Sequence, residues 1–220
     1  MSSAVSAPTP SAREASPQAR LFEVRHLQLA RALFAAVAAI MITFSPDHSA
    51  EVGLAVFSGW AIATALVLLV AVWQVYATGD RATPLALGLL ALAAGMAAGL
   101  PPLRSTTLFF VIVIAWSLVS GVVELVSGIR RRATGPDARD GILIGAITIA
   151  LGVGLLLVNP AYSLEYFIKE ADQSFVLTGI SIGVGIFGGY AAIIAVFLGI
   201  AGFSPRRAAV DETDGSGETA

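Results

Sequence analysis

Six long runs of apolar residues, separated by short polar segments, dominate the pattern along this chain. The runs cover residues 27–44, 53–77, 84–102, 107–129, 141–158 and 174–203. A bilayer core about 30 Å thick requires about 20 mostly apolar residues per helix, and tilt or flanking residues absorb small mismatches in length. The pattern therefore predicts an all-α fold, an integral membrane bundle of six transmembrane helices.

The two ends of the chain lack this pattern. Residues 1–26 begin with a segment rich in Ser, Ala and Pro, and residues 204–220 form an acidic tail. Such composition predicts disorder, apart from a short lead-in to the first helix. The first apolar run follows a long segment that contains Glu14 and Glu23, unlike the short basic start of a signal peptide. We therefore expect this run to be retained within a transmembrane domain spanning residues 27–203.

Composition narrows the class of protein further. The 220 residues are 56% hydrophobic and 13% charged, with a mean hydropathy of +0.82, whereas soluble domains carry about 25% charged residues. The net charge of -2 and the lack of a basic stripe argue against nucleic acid. The sequence has no cysteine, and it shows no nucleophile with a base, metal cluster or phosphate loop. We therefore expect no enzymatic activity, cofactor or metal.

The arginines and lysines predict the orientation. Eleven of the thirteen fall on one side of a six-helix topology, and only Arg104 and Lys169 fall on the other. The positive-inside rule then places both termini in the cytoplasm and the protein in the cytoplasmic (inner) membrane. One predicted cytoplasmic loop is strongly basic, and we expect it to set the topology and to attract anionic lipid head groups. Its cations are Arg130, Arg131, Arg132 and Arg139.

Proline and tryptophan recur at a regular spacing. Pro102 follows Pro46 by 56 residues, Pro160 follows Pro102 by 58, and Trp116 follows Trp60 by 56. This spacing predicts three helical-hairpin repeats, each a helix that leaves the cytoplasm, turns at proline and returns. Each unit starts and ends on the same side, which differs from the inverted repeats of many transporters.

The stretch WSLVSGVVELVSGIRRR at 116–132, with GILIGAITIALGVGLLLVNP at 141–160 after a polar turn, resembles the HdeD-like acid-resistance membrane protein family. The matching positions are Trp116, Gly121, Glu124, Arg130, Gly141, Gly145, Gly152, Gly154 and Pro160. The resemblance extends over residues 27–203, although Leu68 stands where the first hairpin would carry a glutamate. It implies a non-enzymatic inner-membrane protein linked to stress or acid resistance.

Glu124 is the candidate for chemistry. On a helix it shares one face with Ser117, Gly121 and Gly128, and small residues on such a face favour close helix packing. Intramembrane acids are functional candidates. Glu124 is therefore predicted to be either a proton-responsive site or a structural residue that clamps helices near the inner interface, within reach of Arg130 or Arg131. No other acid, histidine or lysine lies in a predicted span, which argues against a proton pump.

Two other functions stay open. A small-solute permease or channel would need a continuous polar path, whereas the spans offer mainly scattered Ser and Thr. A membrane scaffold subunit would need a protein partner, which the sequence does not identify. The lipid bilayer is the one partner that the sequence predicts directly. GxxxG spacings, as at Gly141 and Gly145, also permit a homo-oligomer through Gly-rich helices.

Overall fold

The computed structural model describes residues 23–132, 137–168 and 172–204, and six helices make up most of it. They are α1 (Val24–Phe44), α2 (Ala50–Gln74), α3 (Ala82–Gly99), α4 (Thr106–Arg131), α5 (Asp137–Leu156) and α6 (Gly179–Phe203). Each is long and apolar enough to cross a membrane. The predicted six-helix fold is therefore confirmed. The two predicted disordered tails lie almost wholly outside the described residues.

Successive helices run in opposite directions between two ends of the bundle. α1, α3 and α5 end at Phe44, Gly99 and Leu156, in each case two to four residues before a proline (Pro46, Pro101 and Pro160), as the proline spacing predicted. We call this the proline-rich end, and the opposite one, where α1 begins and α6 finishes, the arginine-rich end. Side-chain caps start the returning helices: Ser49 accepts from Val52 N, Ser105 from Leu108 N and Thr178 from Ser181 N.

The segment between α5 and α6 differs from the prediction. It forms an antiparallel hairpin of β1 (Ser163–Ile168) and β2 (Gln173–Thr178), in which Ser163 pairs with Thr178. The predicted sixth span, which began at residue 174, was therefore wrong at its start, since α6 begins at Gly179. The β-branched and aromatic residues of β2 suit a strand, and a short apolar run alone does not separate strand from helix.

The helices form a ring in chain order, closed by the packing of α1 against α6. The most extensive contacts join α2 to α3, α4 to α5 and α1 to α6, whereas the helices within each predicted hairpin contact one another less. The tight pairs therefore connect one predicted hairpin to the next.

A glycine at each tight contact explains this preference. An added Cβ would come within 3 Å of a side chain on the facing helix in all three pairs: Gly95 at 2.8 Å from Ile62, Gly121 at 2.8 Å from Ile149, and Gly188 at 2.7 Å from Ile42. Within a membrane such small residues let two helix backbones approach closely. The glycines thus permit the close contacts between one predicted hairpin and the next.

Aromatic side chains close the centre of the ring where α2, α4 and α6 approach one another. This aromatic cluster consists of Phe57, Trp60, Trp116, Phe187 and Tyr190. The ring centroids of Trp60 and Trp116 are 5.1 Å apart at 88°, and those of Phe57 and Phe187 are 5.5 Å apart at 70°. Edge-to-face pairs of this kind each contribute about 0.5–1.5 kcal/mol beyond the burial of their area.

The outer surface of the ring is apolar. Large hydrophobic side chains are exposed on every helix, among them Leu33, Leu66, Leu89, Val111, Val153 and Val196. An exposed apolar belt of this extent indicates a lipid bilayer environment, because soluble monomers rarely expose large continuous apolar patches.

Candidate functional site

A cavity of about 580 Å³, which we call the vestibule, lies at the arginine-rich end of the ring. All six helices contribute to its wall, and the exposed residues Ala77 and Asp80 lie at its rim. Its volume is in the range of small-ligand sites, about 300–1,000 Å³. The polar side chains that line it are Gln28, Arg31, Tyr76, Asp80, Thr83, Glu124, Ser127, Arg131 and Asp140.

An ion pair between Arg31 of α1 and Glu124 of α4 lies at the inner limit of the vestibule. The Arg31 Nη2 and Glu124 Oε1 atoms are 3.7 Å apart, and the two side chains are only 16% and 13% exposed. In the order of the ring, α1 and α4 are opposite each other. This pair therefore bridges the ring across its interior. Two buried charges depend strongly on each other, because the loss of one leaves the other uncompensated.

Further polar contacts tie the helices together around the vestibule. Gln28 Nε2 of α1 donates to Asp140 Oδ2 of α5 at 3.4 Å. Arg131 Nη2 lies 3.4 Å from Asp80 Oδ1, which joins α4 to the turn between α2 and α3. The Thr83 and Ser127 hydroxyl oxygens are 2.8 Å apart, which links α3 to α4. The polar side chains of this end thus form a cross-linked layer.

A second, much smaller cavity of about 30 Å³, the inner cavity, lies deeper in the bundle. Arg31, Glu124, Leu68 and Leu87 line both cavities, so the ion pair and these two leucines lie between them. The inner cavity reaches the aromatic cluster at Trp60, Trp116 and Tyr190.

Hydroxyl groups surround this inner cavity. Ser120 donates to the Trp116 carbonyl at 2.5 Å, and Thr148 donates to the Ile144 carbonyl at 2.8 Å. The Tyr190 hydroxyl lies 3.1 Å from Thr148 Oγ1. Since the Thr148 proton points to a carbonyl, Tyr190 is the donor in that contact. These hydroxyl protons are therefore already committed to partners within the protein.

The predicted site residues on α4 divide between two neighbours. Ser117, Gly121 and Gly128 are buried against α5, where a Cβ on Gly128 would lie 2.7 Å from Ile142 N. Glu124 lies at the edge of that face and reaches Arg31 of α1. Its proposed role as a proton-responsive residue or helix clamp stays a prediction.

Sequence reasoning missed Arg31, because it counted this residue among the arginines that orient the chain. Arg31 nevertheless lies inside the first apolar run, and a charge at such a position is itself a functional signal. The predicted fifth span began at residue 141, whereas α5 begins at Asp137 and has Asp140 in its first turn. Helix starts tolerate acids, so apolar length alone placed this boundary four residues late.

In the basic loop, Arg130, Arg132 and Arg139 are exposed and Arg131 pairs with Asp80. Residues 133–136 lie outside the described residues. The expected role of this loop in topology and lipid attraction stays a prediction.

A family model matches part of the chain. Residues 86–157 match the model of a family described as a short repeat of unknown function, DUF308. The matched segment starts in α3, contains all of α4 and ends just after α5, so it includes Glu124 but excludes Arg31. No curated protein and no solved structure matches the chain. The match and the six apolar helices together indicate a multi-pass integral membrane protein.

Proposed function

We propose that this chain is a non-enzymatic protein of the cytoplasmic membrane with a stress-related, acid-resistance role, similar to that of the HdeD-like family, and that Glu124 is its proton-responsive residue. The repeat match over residues 86–157 includes Glu124. The observation that carries the proposal is the mostly buried Arg31–Glu124 pair at the inner limit of a polar vestibule. With both termini in the cytoplasm, as the arginine distribution predicts, the vestibule faces the cytoplasm.

The vestibule supplies the route by which a proton reaches Glu124. Its volume of about 580 Å³ accommodates many water molecules, each of which needs roughly 10–15 Å³ of such volume. A proton on the carboxylate removes its charge and leaves the Arg31 guanidinium without a counter-ion. Because the pair bridges opposite sides of the ring, acidification weakens the link between α1 and α4. The other vestibule acids, Asp80 and Asp140, have partners in Arg131 and Gln28.

The test is to reconstitute the wild type and a Glu124→Gln variant in liposomes that contain a pH-sensitive dye. Proton entry is followed after acidification of the exterior, and thermal unfolding is measured near pH 5 and pH 8. We expect the wild type to alter proton entry and to lose stability in acid, and Glu124→Gln to show neither response. A Glu165→Gln variant is the matched control, since Glu165 is an exposed acid in β1. Equal responses in wild type and Glu124→Gln would refute the proposal.

A small-solute permease is the second candidate, and the size and polar lining of the vestibule favour it. The aromatic cluster stands between the inner cavity and the proline-rich end, so conduction would require this cluster to open. Truncating Trp60 to Ala should then accelerate the flux of a small uncharged solute into liposomes. If the flux for both the wild type and the variant equals that of liposomes without protein, this result would count against the permease.

A further inference from the structure

The inner cavity is surrounded by buried polar atoms that have no hydrogen-bond partner. The described part of the chain contains four such side-chain atoms, and three belong to residues lining this cavity: Arg31 Nε, Thr64 Oγ1 and Trp116 Nε1. Thr64 is 6% exposed and Trp116 is 9% exposed. Buried polar groups are almost always paired, so three orphans around one cavity point to a bound ligand.

The chemistry of these atoms defines what the ligand must offer. The Arg31 Nε–H and Trp116 Nε1–H groups can only donate, and the Thr64 hydroxyl has a free proton to donate as well. The ligand must therefore be a hydrogen-bond acceptor. A cavity of about 30 Å³ has room for one monatomic anion or for one or two waters, which need roughly 10–15 Å³ each. Larger organic anions do not fit.

The charges around the inner cavity distinguish between an anion and water as its ligand. Among the described residues that line the inner cavity, Arg31 is the one cation and Glu124 is the one acid. Tyr190 is the remaining titratable group, and it donates its proton to Thr148. The pairs Asp80–Arg131 and Gln28–Asp140 belong to the vestibule. One negative charge therefore balances Arg31, and Glu124 supplies it only while the carboxylate is ionised.

We infer that the inner cavity binds a small monovalent anion of chloride size, which replaces Glu124 as the counter-ion of Arg31 when Glu124 takes up a proton. The anion accepts from Arg31 Nε, Trp116 Nε1 and the Thr64 hydroxyl. It enters from the vestibule past the ion pair, since Arg31 and Glu124 line both cavities. The inference rests on the proposed proton-responsive role of Glu124, and it adds that proton uptake and anion uptake are linked.

The linkage predicts how chloride affinity depends on pH. If the anion binds only the protonated form, its apparent dissociation constant rises roughly tenfold per pH unit above the pH at which Glu124 loses its proton. The side chain at position 124 of the Glu124→Gln variant carries no charge at any pH, so this variant should bind chloride with an affinity that does not change with pH. A bound ligand raises the unfolding temperature as its concentration rises above the dissociation constant.

The experiment measures thermal unfolding of the full-length protein in detergent, in sodium chloride and in sodium gluconate at equal ionic strength. Gluconate is too large for the cavity. The difference in unfolding temperature between the two salts therefore reports chloride binding and leaves out the effect of ionic strength. We expect chloride to raise the unfolding temperature of the wild type near pH 5 but not near pH 8, and that of Glu124→Gln at both. A double variant, Arg31→Gln with Glu124→Gln, lacks both charges and should show no preference for chloride.

Two conservative substitutions in the Glu124→Gln background locate the site. Thr64→Val removes one hydroxyl with little change of shape, and Trp116→Phe removes one N–H group together with the five-membered ring of the indole. Each should raise the apparent chloride dissociation constant by about tenfold or more, because hydrogen bonds to a charged group are strong. Trp73→Phe is the matched control, since Trp73 is 74% exposed and lies outside the cavity.

The outcomes separate the two proposals. If chloride does not stabilise Glu124→Gln relative to gluconate at either pH, the cavity holds water only and the anion site is refuted, whatever the proton assays show. If chloride stabilises the protein but Trp116→Phe and Thr64→Val do not change this effect, the anion site is also refuted, since the ion then binds elsewhere. If Glu124→Gln binds chloride at this site but the wild type binds it equally at both pH values, the proton link fails together with the proposed function.

Discussion

Replacing Arg31 with Gln tests how strongly the ring depends on the pair that crosses it. The variant leaves the Glu124 carboxylate 13% exposed and without its counter-ion. At an effective dielectric constant of about 20, two unit charges at this separation attract by about 4 kcal/mol. Loss of one partner of a buried pair costs about 3–5 kcal/mol. Water in the vestibule screens the charges, so we expect the lower value, a loss of about 3 kcal/mol near neutral pH.

The sign of the pH dependence distinguishes the two single variants. In Arg31→Gln the lone carboxylate can take up a proton, so the loss of stability should shrink as the pH falls. In Glu124→Gln the lone guanidinium keeps its charge at all accessible pH values, so its loss should persist. The double variant lacks both charges and should recover about 2 kcal/mol relative to the sum of the single changes.

Reversible unfolding of the four proteins in mixed micelles, monitored by circular dichroism in gluconate buffer, gives the free energies for this cycle. Gluconate removes any contribution from a bound chloride. Additive losses for the two single changes, with a coupling below about 0.5 kcal/mol, would refute the reasoning. Such a result would mean that water, and not Glu124, solvates Arg31.

Two further predictions concern packing and topology. Gly145→Ala should destabilise the protein by about 1–3 kcal/mol, because the new Cβ would lie 2.5 Å from a backbone nitrogen of α4. The control is Gly59→Ala, whose Cβ meets no atom within 4 Å and should have little effect. Unfolding in the same micelles measures both changes. The chain has no native cysteine, so Asp80→Cys and Glu165→Cys can each be labelled alone with a membrane-impermeant maleimide. We expect Asp80→Cys to react only from the cytoplasmic side and Glu165→Cys only from the other, and labelling of both from one side would contradict the predicted orientation.

The sequence predicted the six helices well, because the apolar length needed to cross a bilayer can be counted directly. It placed the turns of α1, α3 and α5 for a similar reason, since proline ends helices locally. It could not identify the tight pairs, because GxxxG spacing shows that a helix can be approached closely but not which helix approaches. Gly188 of α6 acquires its partner, Ile42 of α1, only through the closure of the ring.

The site was harder to predict than the fold. Glu124 stands out because a single acid in an apolar run is unusual, and Arg31 carries an equivalent signal. Counting Arg31 for orientation concealed its depth in α1. Thr64 and Trp116 gave no signal of a binding site, because a hydroxyl or indole in a membrane helix usually finds a partner. Their lack of one emerges only from the three-dimensional arrangement around the inner cavity.

The closure of the ring by α1 and α6 has a consequence for biosynthesis. The ribosome synthesises α1 before α6, yet these two helices form one of the three most extensive contacts between the described helices. Until α6 is inserted, the face of α1 that contains Ile42 therefore lacks its contact with Gly188. A chain whose synthesis stops before α6 cannot close the ring. Its α1 helix keeps an unpacked face, which membrane chaperones or proteases can recognise as a sign of incomplete assembly.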